Sequence, residues 1–351
     1  MPKKSHSRST PSRKKQHIDI TLTKDVRFRS KTTGLEDLHF VHNALPEVNL
    51  SEVDTSVEFL HRRLSLPFMV SCMTGGYAGA LAVNRQLAEV CEEVGIAMGV
   101  GSQRQALEDE QYHRTFSVVR EVATTIPIVG NIGAAEVAKM TNADAAKRLV
   151  DLVHADAFAV HLNPLQEFLQ PEGNTNFRGV LDGIAKLVAG LPVPVIVKEI
   201  GAGISEQVAR RLLDIGVRYI DVAGAGGTSW AGVETLRRKD QTFASQFWDW
   251  GIPTAVAIRD VAGLKSDHPV LTLIASGGIT SGFDAAKCIA LGADLVASAR
   301  PVLSSLYHGK KKGLLALFHT WRDELRGIMF LTGAANIPAL QKVSLERYGS
   351  R

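Results

Sequence analysis

Short apolar runs rich in Val, Ile and Ala recur along the chain, and most are followed by longer stretches in which apolar residues return every three or four positions. The runs predict strands over 66–72, 96–100, 127–129, 157–160, 193–197, 219–222, 271–275 and 294–297. The stretches predict helices over 82–94, 112–124, 143–154, 179–189, 205–215, 250–263 and 282–291. This alternation points to an α/β protein built as a single (β/α)8 TIM barrel, with a doubly wound open sheet as the alternative. Two features favour closure. Gly216 and Gly292 stand where a helix hands over directly to the next strand. Polar or glycine-rich clusters follow nearly every run, whereas an open sheet uses only the crevice at its switch point.

Residues 53–59 alternate apolar and polar positions and are expected to belong to a segment covering the barrel. The connection 231–248, after the sixth strand, is long for a compact barrel and contains Phe243, Phe247 and Trp248. A lid or a subunit contact is expected there.

At 351 residues and 45% hydrophobic, the chain can bury a large core. No apolar run is long enough to span a bilayer, and the basic, Ser-rich start lacks the apolar segment of a secretory signal, so a cytoplasmic protein without a membrane partner is expected. Cys72, Cys91 and Cys288 form no CxxC pair and read as small core residues. Net charge is only +4, yet Lys3, Lys4, Arg8, Arg13, Lys14 and Lys15 fall within the first 15 residues with no acid among them. Residues 1–12 are expected to be a disordered basic tail, followed by one domain over 13–345. Modest charge and absent aromatic–basic interleaving argue against a nucleic-acid partner.

In a parallel barrel the C-terminal ends of the strands face the active site. The stretch HLNPLQE, following the run 157–160, offers His161, Asn163, Gln166 and Glu167 together at such an end. Lys198 ends another run, so its ammonium would enter the barrel mouth and need an anionic partner, while Glu199 next door points the other way. Such a cation suits the N1/O2 side of a reduced flavin; a Schiff-base lysine is the competing reading. Gly277-Gly278 and Ala299-Arg300 fall where barrels commonly bind a phosphate. Thr74, Ser102 and Asn131 end the first three strands with small hydrogen-bonding groups that can hold a flat heterocycle by its edge, and Thr228 adds a phosphate or ring contact in the glycine-dense turn 223–230. No GxGxxG opens a helix after a strand, so the implied cofactor is mononucleotide-sized.

These residues resemble the type 2 isopentenyl-diphosphate isomerases, FMN- and Mg2+-dependent barrel enzymes. The matching stretches are RKKQH (13–17), MTGG (73–76), GSQR (101–104), the Asn131 turn, HLNPLQE, Lys198, GGTSW (226–230) and SGGI (276–279), in order across nearly the whole chain. The resemblance implies that FMN is held by Cys72, Met73, Thr74, Ser102, Asn131, Lys198, Thr228, Gly278, Ile279, Thr280, Ala299 and Arg300. It implies that the substrate diphosphate meets Arg13, Lys14, Ser102, Gln103 and Arg104, with Gln166 beside the diphosphate or the hydrocarbon and Glu167 on Mg2+. Gln166, His161, Asn163 and His17 are the catalytic candidates. NADPH or NADH as flavin reductant, a homo-oligomer and a place in isoprenoid biosynthesis are implied as well. Gln16 stands where that family's motif often has Glu, Ala223 where a flavin-contacting Ser is usual, and Thr280 where Arg is frequent.

The implied reaction interconverts isopentenyl and dimethylallyl diphosphate by a 1,3-proton shift. A side-chain acid near neutral pH is poorly matched to protonating an unactivated alkene, so the N5 region of reduced flavin is the expected proton donor and acceptor. Flavin oxidoreductases of the 2-hydroxy-acid oxidase or IMP-dehydrogenase kind are the alternative. They need a His base late in the barrel or a Cys after the sixth strand, and 223–230 and 276–282 contain neither.

Overall fold

The barrel strands are β1 (Phe68–Val70), β2 (Ala97–Gly99), β3 (Ile128–Gly133), β4 (Ala157–His161), β5 (Val195–Lys198), β6 (Tyr219–Asp221), β7 (Thr272–Ala275) and β8 (Leu295–Ser298). The protein is described here by a computed structural model, covering residues 6–347 of the backbone and 13–347 of the side chains. All eight strands are parallel, and β8 pairs with β1, Val296 opposite Phe68, so the sheet is closed and not open.

The two-residue period of a strand sorts its side chains. In β4, Phe158 and Val160 pack outward against the helices while Ala157 and Ala159 fill the barrel; in β5, Val195 and Val197 face out and Ile196 faces in. Continued to the upper strand ends, this parity turns Asn131, His161, Lys198, Asp221 and Ser276 toward the barrel axis. Register aligns them: His161 lies opposite Lys198, and Lys198 opposite Asp221.

The segment expected to cover the barrel is a hairpin, Val57–Phe59 paired with Arg62–Leu64, and it closes the lower end. Phe59, Leu60 and Leu64 pack with the inward residues of the strands. Leu60 and His61 form the turn at positive φ, 51° and 59°, a strained choice for residues with a Cβ. The Arg62 guanidinium fixes the hairpin by donating to Asp156 Oδ1 (2.8 and 3.0 Å), just ahead of β4.

The expected helices form around the barrel within a few residues of their predicted bounds. Ser205, Ser229 and Ser281 cap three of the helices by accepting the backbone N–H three residues on. Gly216 and Gly292 take up φ of 89° and 107° at the helix-to-strand turns. The connection after β6 consists of two short helices, Trp230–Arg237 and Gln241–Ser245. A helix that the apolar pattern did not predict, Arg300–Thr332, follows β8 and bends at Lys310, φ 53°.

The basic start of the chain, expected as a tail over 1–12, runs into a helix. Residues 1–5 lie outside the described residues, but a helix spans His6–Thr23 and lies across the top of the barrel. Its hold is tertiary and polar, which a search for apolar periodicity does not detect. No described helix is long and apolar enough to cross a membrane.

Candidate active site

Above the inward layer lies a cavity of about 510 Å3, within the roughly 300–1,000 Å3 usual for sites that take small molecules and cofactors. Lys14, His17, Ile18 and Thr21 of the N-terminal helix line its roof, spaced three and four apart on one helical face. Of the expected flavin contacts, Cys72, Met73, Lys198, Thr228, Gly278, Ile279, Thr280, Ala299 and Arg300 line it.

The far end of the cavity is glycine-lined because nothing larger fits. A Cβ on Gly277 would lie 2.1 Å from the Gly224 carbonyl oxygen, and one on Gly278 would lie 2.5 Å from Thr33 Cγ2; both residues also have positive φ, 100° and 75°. Buried Thr254 ties the two turns together, its hydroxyl donating to Gly277 O (2.7 Å) and Ala225 O (3.2 Å). The adjacent helix Arg300–Thr332 starts without a side-chain cap, leaving its first N–H groups to an anion. Arg300, which also lines the cavity, fastens the N-terminal helix: Nε donates to Thr21 O (3.0 Å) and Nη2 to Lys24 O (3.4 Å). Ala223 lines the cavity at φ 39°.

Lys198 is buried, and its Nζ lies 3.6 Å from Asp221 Oδ2 while donating to Glu199 O (2.5 Å). The anionic partner that Lys198 requires is therefore Asp221, which the sequence reading missed although it is an acid inside a buried strand. Glu199 does point away, and its carboxylate accepts backbone N–H groups of Ile200, Gly201 and Ala202 at 2.5–2.7 Å. Burial raises its carboxyl above the usual value, against those bonds.

Cations gather at the other end. Lys14 is partly exposed along its stem, but its ammonium is enclosed and donates to Gly75 O and Ser102 O, both 2.8 Å. Burial, then Arg13 and Arg104, pulls it from 10.5 to about 7. Arg13 is disfavoured in the same way, by burial and then by Arg104, with Glu172 and Glu167 offsetting part of this. Arg104 is held by Glu108 (2.9 Å) and Glu136 (3.4 Å). Lys14 lines the cavity, and Arg13 and Arg104, each partly offset by nearby carboxylates, stand close enough to depress it, a grouping that favours an anion.

HLNPLQE folds into a strand end and the short helix Pro164–Leu169, with Pro in its first turn. Asn163 Nδ2 donates to both Gln166 Oε1 and Glu167 Oε1, each at 3.0 Å. Gln166 Nε2 donates to Glu234 Oε1 (3.2 Å), which also meets His17 Nε2 (2.8 Å). Glu234 is fully buried; burial alone would raise its carboxyl, and the bonds to His17 and Arg237 hold it below the usual value. It joins the N-terminal helix to Gln166, and sequence pattern could not reveal it, because its helix belongs to the connection after β6. His17 stacks edge-on against Trp230, centroids 5.2 Å apart. His161 Nδ1 donates to Asn131 Oδ1 (3.0 Å), and burial, with Lys198 and Lys14, pushes it down to about 3, so the ring is neutral.

Two of the expected contact residues have their side chains engaged within the protein. Gln103 is fully buried with both ends of its carboxamide spent on backbone: Nε2 donates to Leu149 O (2.9 Å) and Oε1 accepts from Asn131 N–H (2.9 Å). Through these two bonds it positions β3. Gln103→Leu should therefore lower folding stability by about 1–3 kcal/mol for each group left unpaired; a denaturation midpoint equal to wild type with a raised KM would make it a substrate contact instead. The buried Thr74 hydroxyl donates to Asn84 Oδ1 on the following helix, while the Thr74 backbone carbonyl accepts from Gly101 N–H (2.7 Å) and ties the β1 and β2 turns together. Ser102 and Asn131 border the site without lining the cavity, Ser102 through its carbonyl on Lys14 and Asn131 beneath His161.

The family model of FMN-dependent dehydrogenases matches residues 6–113 and 165–347. Solved structures of similar fold include a mandelate oxidase (TM-score 0.65, 17% identity, 94% of this chain and 95% of that one). A Pediococcus acidilactici protein described as a lactate oxidase is another (TM-score 0.70, 17% identity, 99% and 96%). At that identity they bear on fold alone. Isopentenyl-diphosphate delta-isomerase from Chlorobium luteolum is 50% identical over 345 residues, 95% of each chain. That from Methanothermobacter thermautotrophicus is 44% identical over 330 residues, 94% of this chain and 91% of its own. The chain belongs to the isopentenyl-diphosphate delta-isomerases of the FMN-dependent type 2.

Proposed function

We propose that the protein interconverts isopentenyl and dimethylallyl diphosphate with reduced FMN and Mg2+. The observation that carries this reading is the union of a glycine-lined cavity bordered by Lys198 and Lys14 with Arg13 and Arg104 close enough to Lys14 to depress it. The cavity fits FMN: Gly278, Ala299 and the first N–H groups of the helix Arg300–Thr332 would hold its phosphate, Thr228 and Met73 its body, and Lys198 the N1/O2 side. Reduced FMN, when bound, supplies at N5 a proton donor and acceptor of a strength that no side chain in the site offers.

The rest is done by the chain. Arg13, Lys14 and Arg104 anchor the diphosphate, and Glu167 offers the hard oxygen that Mg2+ takes from a protein when phosphate oxygens and waters complete its shell. Asn163 fixes Gln166 and Glu167 at once, so the metal ligand and the carboxamide beside the hydrocarbon keep a constant separation. Glu234 holds His17 against the same carboxamide, which closes the N-terminal helix over the site and excludes water. Neutral His161 adds a polar edge without a charge that would compete with Lys198.

Because substrate and product are isomers, turnover should consume no reducing equivalents. Anaerobic incubation with isopentenyl diphosphate, Mg2+ and chemically reduced FMN should give many molecules of dimethylallyl diphosphate per flavin, with the flavin still reduced at the end. NADPH or NADH would serve only to prime the flavin. Stoichiometric reoxidation of flavin by substrate would replace this reading by an oxidoreductase.

A further inference from the structure

Asp221 is 0% exposed, and an acid in such a place must be held for a reason. Its Oδ1 accepts from Ser276 Oγ (2.5 Å) and from the Ala223 N–H (3.2 Å). Its Oδ2 accepts no hydrogen bond among the described residues and faces only Lys198 Nζ, at 3.6 Å. Lys198 is 5% exposed and its ammonium reaches the cavity.

The other groups around Lys198 bring no usable counter-charge. From β4, His161 is neutral, pushed down to about 3 by burial and then by Lys198 and Lys14. From the end of β1, the Cys72 thiol is pushed up to about 12, chiefly by burial, and stays protonated. On its own segment, Glu199 gives Oε2 to backbone N–H groups, and burial, the largest influence on it, raises its carboxyl above the usual value, so its attraction to Lys198 is the lesser one. A buried ammonium whose partner is removed gives up its proton more easily, because burial penalises the charged form.

We propose that Asp221 is a positioning residue of the flavin site, holding Lys198 as an ammonium before as well as after flavin reduction. The inference rests on the cavity being the FMN site. Its consequence is a proton count. With Lys198 already charged, the bound ring takes two electrons and one proton, at N5, and the negative charge left on its N1/O2 side is met by the ammonium. Without Asp221, Lys198 enters neutral and is protonated as the ring becomes anionic, so two protons accompany the two electrons.

The test is an anaerobic dithionite titration of the FMN-loaded protein, with proton uptake read from the pH dependence of the midpoint potential between about pH 7 and 9. Wild type should take up one proton per two electrons and Asp221→Asn two; the double variant Asp221→Asn with Lys198→Met, which lacks the ammonium, serves as the control for folding. A purely structural Asp221 would change stability without changing that count. Two protons in wild type, or one in Asp221→Asn, overturns the proposal. Should Asp221→Asn fail to fold, the double variant decides: recovery of the fold identifies the unpaired ammonium as the defect, and no recovery overturns the pairing. A wild type that takes up no FMN overturns the cofactor reading and this inference with it.

Discussion

Arg13→Ala should raise the KM for the diphosphate substrate roughly 30- to 150-fold, the equivalent of losing about 2–3 kcal/mol of a charge-assisted contact. Removing Met1–Thr10 should change it little, since the cavity-lining positions Lys14, His17, Ile18 and Thr21 remain. Lys14 adds a pH dependence of defined sign. Its value of about 7 in the ligand-free protein is imposed first by burial and then by Arg13 and Arg104, and a bound dianion reverses the repulsion. Binding then takes up a proton above about pH 7, and affinity for inorganic diphosphate should fall as pH rises, by up to about tenfold per unit. For folding the sign is opposite. Between about 7 and 10.5 the unfolded chain holds a Lys14 proton that the ligand-free native state lacks, so stability gains with rising pH across that window. Calorimetric titration of diphosphate at several pH values checks the first part, and Lys14→Arg should flatten the slope. A slope unchanged in Lys14→Arg would assign it to another group.

The barrel was legible because both of its periodicities are written locally. Apolar runs of period two, separated by helical stretches and glycine turns, need no tertiary information to be recognised. The same parity even orients the site: Ile196 faces inward, therefore Lys198 does, and Glu199 does not. Carried one strand further, Tyr219 packs with the interior cluster and Asp221 shares its face, so the same parity places Asp221 beside Lys198.

Contacts between distant segments were a different matter. Nothing local tells that Gln103 would turn to Leu149 and Asn131, since a carboxamide beside a cation reads equally well as a substrate ligand. Glu234 meets His17 across 217 positions of sequence, and the N-terminal helix owes its place to such pairs: Lys14 on two loop carbonyls, His17 on Glu234, and Arg300 on Thr21 and Lys24. Motif order carried by the resemblance pointed to Lys14, His17, Gln103 and Arg300, and not to Glu234. Only the fold could say which of them touch.

Glu167→Gln should raise the Mg2+ concentration needed for half-maximal activity by at least about tenfold, because a hard cation prefers a charged oxygen to an amide. Among the described residues no group of three or more His, Cys, Asp or Glu is placed to hold a metal. A protein-only cage is therefore not what the chain offers, and an ion here must draw most of its ligands from the diphosphate and water, with one carboxylate to fix its position. Glu167 suits that role: Oε1 takes Asn163 Nδ2 (3.0 Å), Oε2 takes the Asn174 N–H (2.6 Å), and each oxygen keeps a second lone pair. Glu199, a neighbouring carboxylate, is less suited, because Oε2 already takes three backbone N–H groups at 2.5–2.7 Å. The substitution also turns the bond between Glu167 and Asn163 into a neutral one, which should loosen Gln166 and lower kcat at saturating Mg2+. FMN affinity should stay at the wild-type value, because neither Glu167 nor Asn163 lines the flavin cavity. Mg2+ activation curves for the two proteins, each with its flavin occupancy measured, decide the matter. A curve unchanged in Glu167→Gln would leave the ion on the diphosphate alone, with Arg13, Lys14 and Arg104 as its only tether to the protein.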